Sequence, residues 1–286
     1  MDWEAGIAKE CNTLKKFDTF GKVYRYADVK DRKYFNIANM LGAFACRNVQ
    51  EKKELWECRY RGVYGGHDPR RADGSVALYA SSASLPASLR DLRIFSVVAT
   101  LYSWVIWAGD VTGAYLNATA PADSFVRLSD EQIPHLLSPE EAARYIAMKE
   151  NGDDPVVELK KALYGHTQAG FLWEAEARKQ LLEMGFTNWS DVSSAWYCMY
   201  SDDAKRLTCI LLLYVDDFLI AGDRHVVATV VSKMKKIWEL KGGDIHPINE
   251  APILGITFTQ TFSQNHDIAH VIVDQRKYAA HTVDEF

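Results

Sequence analysis

Leu211-Leu212-Leu213-Tyr214-Val215-Asp216-Asp217-Phe218-Leu219-Ile220 is the stretch on which the reading of this chain turns. Two apolar, β-prone runs flank an adjacent pair of aspartates, the pattern of a buried hairpin that turns at its carboxylates. The turn is an odd one, because two-residue hairpin loops favour Asn-Gly, Asp-Gly or Gly-X, which tolerate positive φ. Neighbouring carboxylates between apolar strands also resist ionising together. A hard divalent cation reverses that penalty, since Mg²⁺ takes carboxylate oxygens and leaves room for substrate phosphates. The pair is therefore either a metal site at a hairpin tip or a solvated surface turn.

Working outward, a second acidic landmark is Asp110, at the end of an apolar strand expected over 104–110 and followed by Val111-Thr112-Gly113-Ala114-Tyr115-Leu116. A lone Asp in such a place is most often a cap or turn residue. It acquires meaning only in a fold that lays its strand beside the hairpin. A third stretch, residues 56–74, alternates Arg59, Arg61, Arg70 and Arg71 with aromatics and glycines. It reads as a basic hairpin able to grip phosphate through guanidinium groups, or as a solvated loop.

Around these landmarks, helical spacing of Trp3, Ile7, Cys11 and Leu14 predicts an opening amphipathic helix, and Tyr34, Ile37, Leu41 and Phe44 predict another. A short strand is expected over 19–26, and further strands over 125–128, 156–159 and 253–259, the last with a hairpin partner over 269–273. Helices are expected over 89–104, 138–148, 171–184 and 226–240. Ser138 with Pro139 opens one of them, and Gly185 closes another. Strands and helices mix irregularly, which favours an α+β fold over a doubly wound one.

Composition narrows the classes further. The 286 residues hold 48% hydrophobic and 25% charged side chains, as in globular proteins with a substantial core. A formal net charge of −5 provides no global basic field, so any nucleic-acid contact has to come from a local patch. The five cysteines are scattered and form no C-x-x-C pair, which argues for reduced thiols in an intracellular compartment and against structural zinc. No signal peptide opens the chain, and the longest apolar run, 94–109, is interrupted by Ser96, Thr100 and Ser103. The expectation is an intracellular protein, in the cytoplasm or the nucleus, that is not secreted and has no membrane partner.

Together these residues resemble the reverse transcriptase of copia-type LTR retrotransposons. DVTGAYLNA (110–118) is similar to that family's first catalytic motif, and LKKALYGHTQAGFLW (159–173) to its Leu-Tyr-Gly motif. LLLYVDDFLIAGD (211–223) resembles its Tyr-Val-Asp-Asp motif, ILGITF (253–258) its later Leu-Gly-Ile strand, and DQRKYAAHTV (274–283) the entry to its thumb. The Trp3-Glu4-Ala5 helix and the ECRYRG segment (57–62) resemble its N-terminal helix and basic fingers strand. Any one motif is weak; their order along the chain makes the resemblance specific.

The resemblance implies a right-handed polymerase with interleaved fingers (mainly 17–90 and 145–170) and palm (mainly 91–130 and 171–262). The palm sheet would be antiparallel, and 263–286 would be the start of a truncated thumb. It also implies a reaction, transfer of a nucleotide from a dNTP to a primer 3′-hydroxyl on an RNA or DNA template. Two Mg²⁺ ions, or Mn²⁺, would be held by Asp110 and Asp216 as principal ligands, Asp217 as the more peripheral carboxylate and the Val111 carbonyl. Tyr115 would be the steric gate against ribose, Gly165 and Gln168 the floor of the nucleotide pocket, and Arg59, with Arg61, a triphosphate clamp. Oligomeric state is left open.

Two departures stand out. Where many copia relatives carry Leu-Lys-Gln-Ser-Pro-Arg after Tyr-Gly, this chain has His166-Thr167-Gln168-Ala169-Gly170-Phe171, which removes two cations. Nothing resembles integrase or RNase H. A fragment or inactive retroelement remnant that at most binds nucleic acid is therefore the alternative reading. A palm-type nucleotidyl cyclase also pairs acids on a hairpin, but the Tyr-Gly-x-x-Gln stretch gives it no support.

Overall fold

The computed structural model describes residues 3–47, 52, 54, 56–77, 87–190, 193–203, 205–241, 246–247, 251–253, 256–263, 269–276 and 279. In chain order the elements begin with helix α1 (Trp3–Lys16), strand β1 (Phe20–Arg25), helix α2 (Tyr26–Val29), β2 (Asn36–Arg47) and β3 (Glu57–Tyr64). Helix α3 (Leu89–Leu101), β4 (Val105–Asp110), β5 (Ser124–Arg127), α4 (Ile133–Leu136), α5 (Pro139–Glu150), β6 (Pro155–Leu159) and α6 (Ala169–Glu183) follow. The remainder is β7 (Thr187–Ser190), β8 (Ser193–Tyr200), β9 (Leu207–Tyr214), β10 (Asp217–Gly222), α7 (Arg224–Ile237), β11 (His246–Pro247), β12 (Ala251–Ile253), β13 (Ile256–Phe262) and β14 (Ala269–Asp274). Among the described residues no helix is long and apolar enough to cross a membrane.

The chain divides into two compact units, one of residues 1–83 and 115–173, the other of 84–114 and 174–286. Residues 115–130, expected from sequence in the palm, cluster with the first unit because β5 pairs with both β2 and β6. The expected start of the thumb, 263–286, lies largely outside the described residues, as does most of the 274–283 motif. Of that region β14 is described, antiparallel to β13.

The first unit is built on a five-stranded sheet in the order β1-β6-β5-β2-β3. It is mixed, with β2 parallel to β5 and the other pairs antiparallel. Leu14 and Cys11 on the apolar stripe of α1 join Val23, Val126, Val157 and Leu163 in its core. Helix α5 starts where the sequence signals it. The Ser138 hydroxyl accepts from the Glu141 N–H, Pro139 stands at the first turn, and Tyr145 is the buried anchor.

The helix expected from Tyr34, Ile37, Leu41 and Phe44 is not formed; the segment is strand β2. Those four residues share a helical stripe, but they do not share a buried surface: Ile37 is 3% exposed and Phe44 58%. Two ladders, to β3 on one side and β5 on the other, supply the backbone partners that override the weak local pattern.

The second unit is organised by a six-stranded sheet, β11-β4-β10-β9-β8-β7, antiparallel at every pair. One face packs Ile106, Ile210, Leu212, Leu219 and Ala221 against Leu92, Phe95 and Ala99 of α3 and Ile256 and Phe258 of β13. Helix α3 is fixed by a Ser88–Asp91 capping box, and Asp91 also accepts from Trp196 Nε1 at 2.8 Å. The buried Gln260 amide accepts from the Ile106 N–H at 2.9 Å and donates to the Trp104 carbonyl at 2.7 Å, which ties β13 to the start of β4. Helix α7 buries Val227, Val230, Val231 and Met234; it ends at Ile237, short of the expected Leu240. The observed architecture is α+β, with the antiparallel sheet carrying the acidic residues.

Candidate active site

The hairpin of β9 and β10 forms as its apolar runs predict, with its turn one residue earlier than expected. Tyr214 pairs with Asp217, so the two-residue loop is Val215-Asp216 and Asp217 is the first residue of β10. The reason is the period of the strand. Two adjacent carboxylates in one loop would both point into solvent, whereas this register puts one on the turn and the other on the pleated face. The left-handed conformation falls on Val215, at φ +53, a position a β-branched side chain rarely accepts. Such strain persists only where the surroundings impose it. Here the buried strands on either side do so: Leu211, Leu212, Phe218, Leu219 and Ile220 are all at most 2% exposed.

The second landmark meets the first directly. In the β4–β10 ladder Asp110 stands opposite Asp217, and Phe218 opposite Gly109. Residues directly opposite project to the same side of a sheet, with Cβ atoms about 5 Å apart. Gly109 is required at that point, since a Cβ there would come within 2.4 Å of the Phe218 ring. One residue further on, the Val111 N–H donates to the Asp216 carbonyl at 2.7 Å, which fixes the turn to the end of β4. Asp110, Asp216 and Asp217 are thus gathered at one end of the sheet, with Val111 buried beneath.

Electrostatics register the crowding. The Asp217 carboxyl is pushed up to about 6, by burial first and then by the negative charges of Asp216 and Asp110, with Lys241 opposing the rise. Lys241 Nζ lies 2.8 Å from Asp110 Oδ2, and the Lys241 N–H donates to the Asp110 carbonyl at 2.9 Å. Sequence reasoning missed this lysine. Its placement follows from the isolated bridge Val111–Leu240, and no local pattern announces it.

A cation therefore already stands against the acidic group, in the form of an ammonium. Among the described residues no three acidic, His or Cys side chains converge on one point closely enough to enclose an ion as they stand. The two observations concern different things. Unneutralised carboxylates repel one another, and Asp110 turns to Lys241. The donor set, three carboxylates with hard oxygen ligands beside one ammonium, suits a divalent cation that takes carboxylates and keeps open positions. The chemistry of the residues present fits Mg²⁺ or Mn²⁺.

The remaining sequence candidates belong to the first unit. Tyr115 is half-buried on a 3-10 turn, Ala114–Asn117, with its ring centroid 5.4 Å from that of Tyr164. Gly165 has φ +85 and no room for a side chain: a Cβ would lie 2.3 Å from the Tyr64 carbonyl oxygen. Its glycine is thus explained by backbone approach to the end of β3. Gln168 lines a cleft of about 850 Å³ together with Lys30, Arg32, Lys33, Tyr34 and Arg71. Its N–H donates to His166 Nδ1 at 3.1 Å. Burial holds His166 neutral, its pKa lowered to about 4.

On β3, Arg59 and Arg61 are both partly exposed. Arg61 reaches Glu10 Oε2 at 2.7 Å and lies 4.8 Å over the Tyr164 ring. Glu10 is buried, and burial raises its pKa while Arg61 pulls it down. Arg61 thereby anchors α1 to β3, a role its position in an arginine-rich run did not suggest.

With this geometry in view, comparisons with known proteins can be placed. Residues 50–286 match the reverse transcriptase (RNA-dependent DNA polymerase) family. The chain is similar to the retrovirus-related Pol polyproteins of transposons RE2 and RE1 from Arabidopsis thaliana. The first is 31% identical over 52% of this chain and 9% of the polyprotein, the second 32% identical over 51% and 9%. A Ty1 Gag-Pol polyprotein of Saccharomyces cerevisiae is 23% identical over 82% of this chain and 11% of its own length. The chain thus spans about a tenth of the length of these relatives. A foamy viral protease–reverse transcriptase solved with double-stranded DNA aligns over 91% of this chain and 34% of its own, at 10% identity and a TM-score of 0.46.

Proposed function

We propose that this chain, which belongs to the reverse transcriptase (RNA-dependent DNA polymerase) family, extends a primer 3′-hydroxyl with deoxynucleotides on an RNA or DNA template. Its curated relatives are polyproteins of copia/Ty1-type retrotransposons. The observation that carries the proposal is the ladder that sets Asp110 opposite Asp217, with Asp216 on the adjoining turn. Three carboxylates brought to one sheet end from distant parts of the sequence cost stability unless a cation uses them.

In this reading Asp110 and Asp216 are the principal metal ligands, with Asp217 peripheral and the Val111 carbonyl a further donor. When bound, two Mg²⁺ ions supply Lewis-acid stabilisation of the attacking and leaving oxygens in an in-line displacement. The protein's own share is positioning and charge. Lys241 pairs with Asp110 before the ions arrive. Tyr115 lies under the sugar and crowds a 2′-hydroxyl, the group that distinguishes ribose from deoxyribose. Gln168 and the Gly165 turn form the pocket floor, and Arg59 holds the triphosphate, with Arg61 held by Glu10 to keep β3 in place. The first unit then corresponds to fingers and the second to palm, and the partners are template-primer and dNTPs.

Primer extension on an RNA template with purified protein tests the proposal. Wild type should incorporate dNTPs in Mg²⁺ or Mn²⁺, and Asp216→Asn should abolish incorporation. Absence of incorporation at any concentration of either ion would leave the chain as an inactive retroelement remnant.

A further inference from the structure

Three of the five cysteines, Cys11, Cys198 and Cys209, are buried; the two partly exposed ones, Cys46 and Cys58, meet. They are Cα partners in the β2–β3 ladder, one rung from its end at Arg47–Glu57, where the chain passes from one strand to the other. The sequence hides this, because twelve positions of numbering and a connecting segment separate two unremarkable thiols.

We infer that Cys46 and Cys58 form a redox-active dithiol that closes to a cross-strand disulfide and staples together the hairpin bearing Arg59 and Arg61. Directly opposed residues in an antiparallel pair have Cα atoms about 4.5 or 5.5 Å apart. A disulfide takes Cα separations of about 4.4–6.8 Å, so the backbone needs no rearrangement. Side chains of opposed residues share a face, so the two Sγ atoms leave the sheet on the same side. The adjacent rung on that face, Phe44 opposite Tyr60, brings its rings to 5.1 Å, so side chains here do close across the strands. The Cys46 thiol is pushed up by burial and by its neighbour Cys58, with which it shares a hydrogen bond. β3 is the last strand in the order of its sheet, and α1 packs against it: a Cβ at Gly6 would lie 2.7 Å from the Cys58 carbonyl oxygen.

The step is thiol–disulfide exchange with a small-molecule disulfide. One thiolate attacks a sulfur of the oxidant and expels a thiolate. The second cysteine, as thiolate, then attacks the mixed disulfide and expels the other. Two protein thiols lose their protons and a pair of electrons, and the oxidant leaves as two thiols. Bridges that are exposed are the reducible ones, so this one would open again under a reducing glutathione pool. The bridge does not depend on the polymerase reading.

The test uses the reduced, folded full chain equilibrated with oxidised and reduced glutathione, quenched with alkylating agent and mapped by peptide mass. The expected result is a Cys46–Cys58 linked peptide, lighter by two hydrogens than the separate thiols, with Cys11, Cys198 and Cys209 alkylated. Reduction with dithiothreitol should restore both thiols. In Cys46→Ser the linked peptide should vanish and glutathione should stay on Cys58. Persistent glutathione adducts on Cys46 and Cys58 of the wild type, or two unmodified thiols after the oxidant has reacted elsewhere, would overturn the inference. Because the wild-type map decides by itself, a folding defect in the variant does not remove the test.

Discussion

Two hairpins of this molecule use the same antiparallel ladder to opposite ends. β9–β10 lies in the middle of its sheet, apolar on both faces, closed by a two-residue turn, and it carries carboxylates at the tip. β2–β3 ends a sheet, leaves Leu41 and Phe44 exposed, and joins its strands through residues 48–56. The first hairpin is fixed by its surroundings tightly enough to impose positive φ on Val215. The second has an edge strand and a pair of thiols next to the segment that joins its strands. A site that must hold like charges in register is built on the former kind of element. One that must approach a mobile ligand is better built on the latter. The contrast teaches that burial on both sides, rather than hairpin geometry, separates a rigid site from an adaptable one.

The largest effect that could break this comparison is catalytic. Asp217→Asn should lower kcat for nucleotide incorporation by at least about a hundredfold, whereas Arg59→Ala should act mainly through the KM for dNTP, by about tenfold. A kcat defect in Arg59→Ala as deep as that of Asp217→Asn would remove the functional distinction between the two hairpins. Next is stability. Leu212→Ala should cost about 3–5 kcal/mol in denaturant unfolding, and the exposed Phe44→Ala within about 0.5 kcal/mol. Equal losses would show the second hairpin to be as fixed as the first.

A pH effect follows, in the first unit where His166 lies against Tyr64, ring centroids 4.8 Å apart. Its pKa is lowered to about 4 from an ordinary 6.5, so the unfolded chain binds the extra proton between these values. Stability is therefore complete above about 6.5 and falls as pH drops toward about 4, by on the order of 3 kcal/mol. The carboxyl of Asp217, raised to about 6, acts in the other direction, favouring the fold as pH falls through its range. Comparing urea midpoints at neutral and acid pH for wild type and His166→Gln isolates the histidine. An unchanged slope in the variant would remove it as the cause.

The smallest change sharpens the account of the first hairpin. Val215→Gly relieves the positive φ and should stabilise by about 1 kcal/mol. A loss of stability on that substitution would mean that Val215 contributes packing worth more than its strain.

The physical division between what the residues announced and what folding supplied is clear at particular positions. The β9–β10 hairpin was legible because its signal is local: apolar runs of strand length with acids between them. So were the capped start of α5 at Ser138-Pro139 and the stop of α6 near Gly185, which has φ +102. The β2 strand was not, since helical and extended readings of Tyr34 to Phe44 differ only in which partners the backbone finds. The order of motifs along the chain was enough to place it in its family.

What the sequence determined by itself, then, is the acidic inventory and the elements that carry it. What only the tertiary structure decided is juxtaposition: that Asp217 faces Asp110, that Lys241 returns to neutralise Asp110, and that Cys46 meets Cys58. Local periodicity reports which side of its own element a residue occupies. The register between strands is set by the burial of both cores at once, and no single segment encodes it.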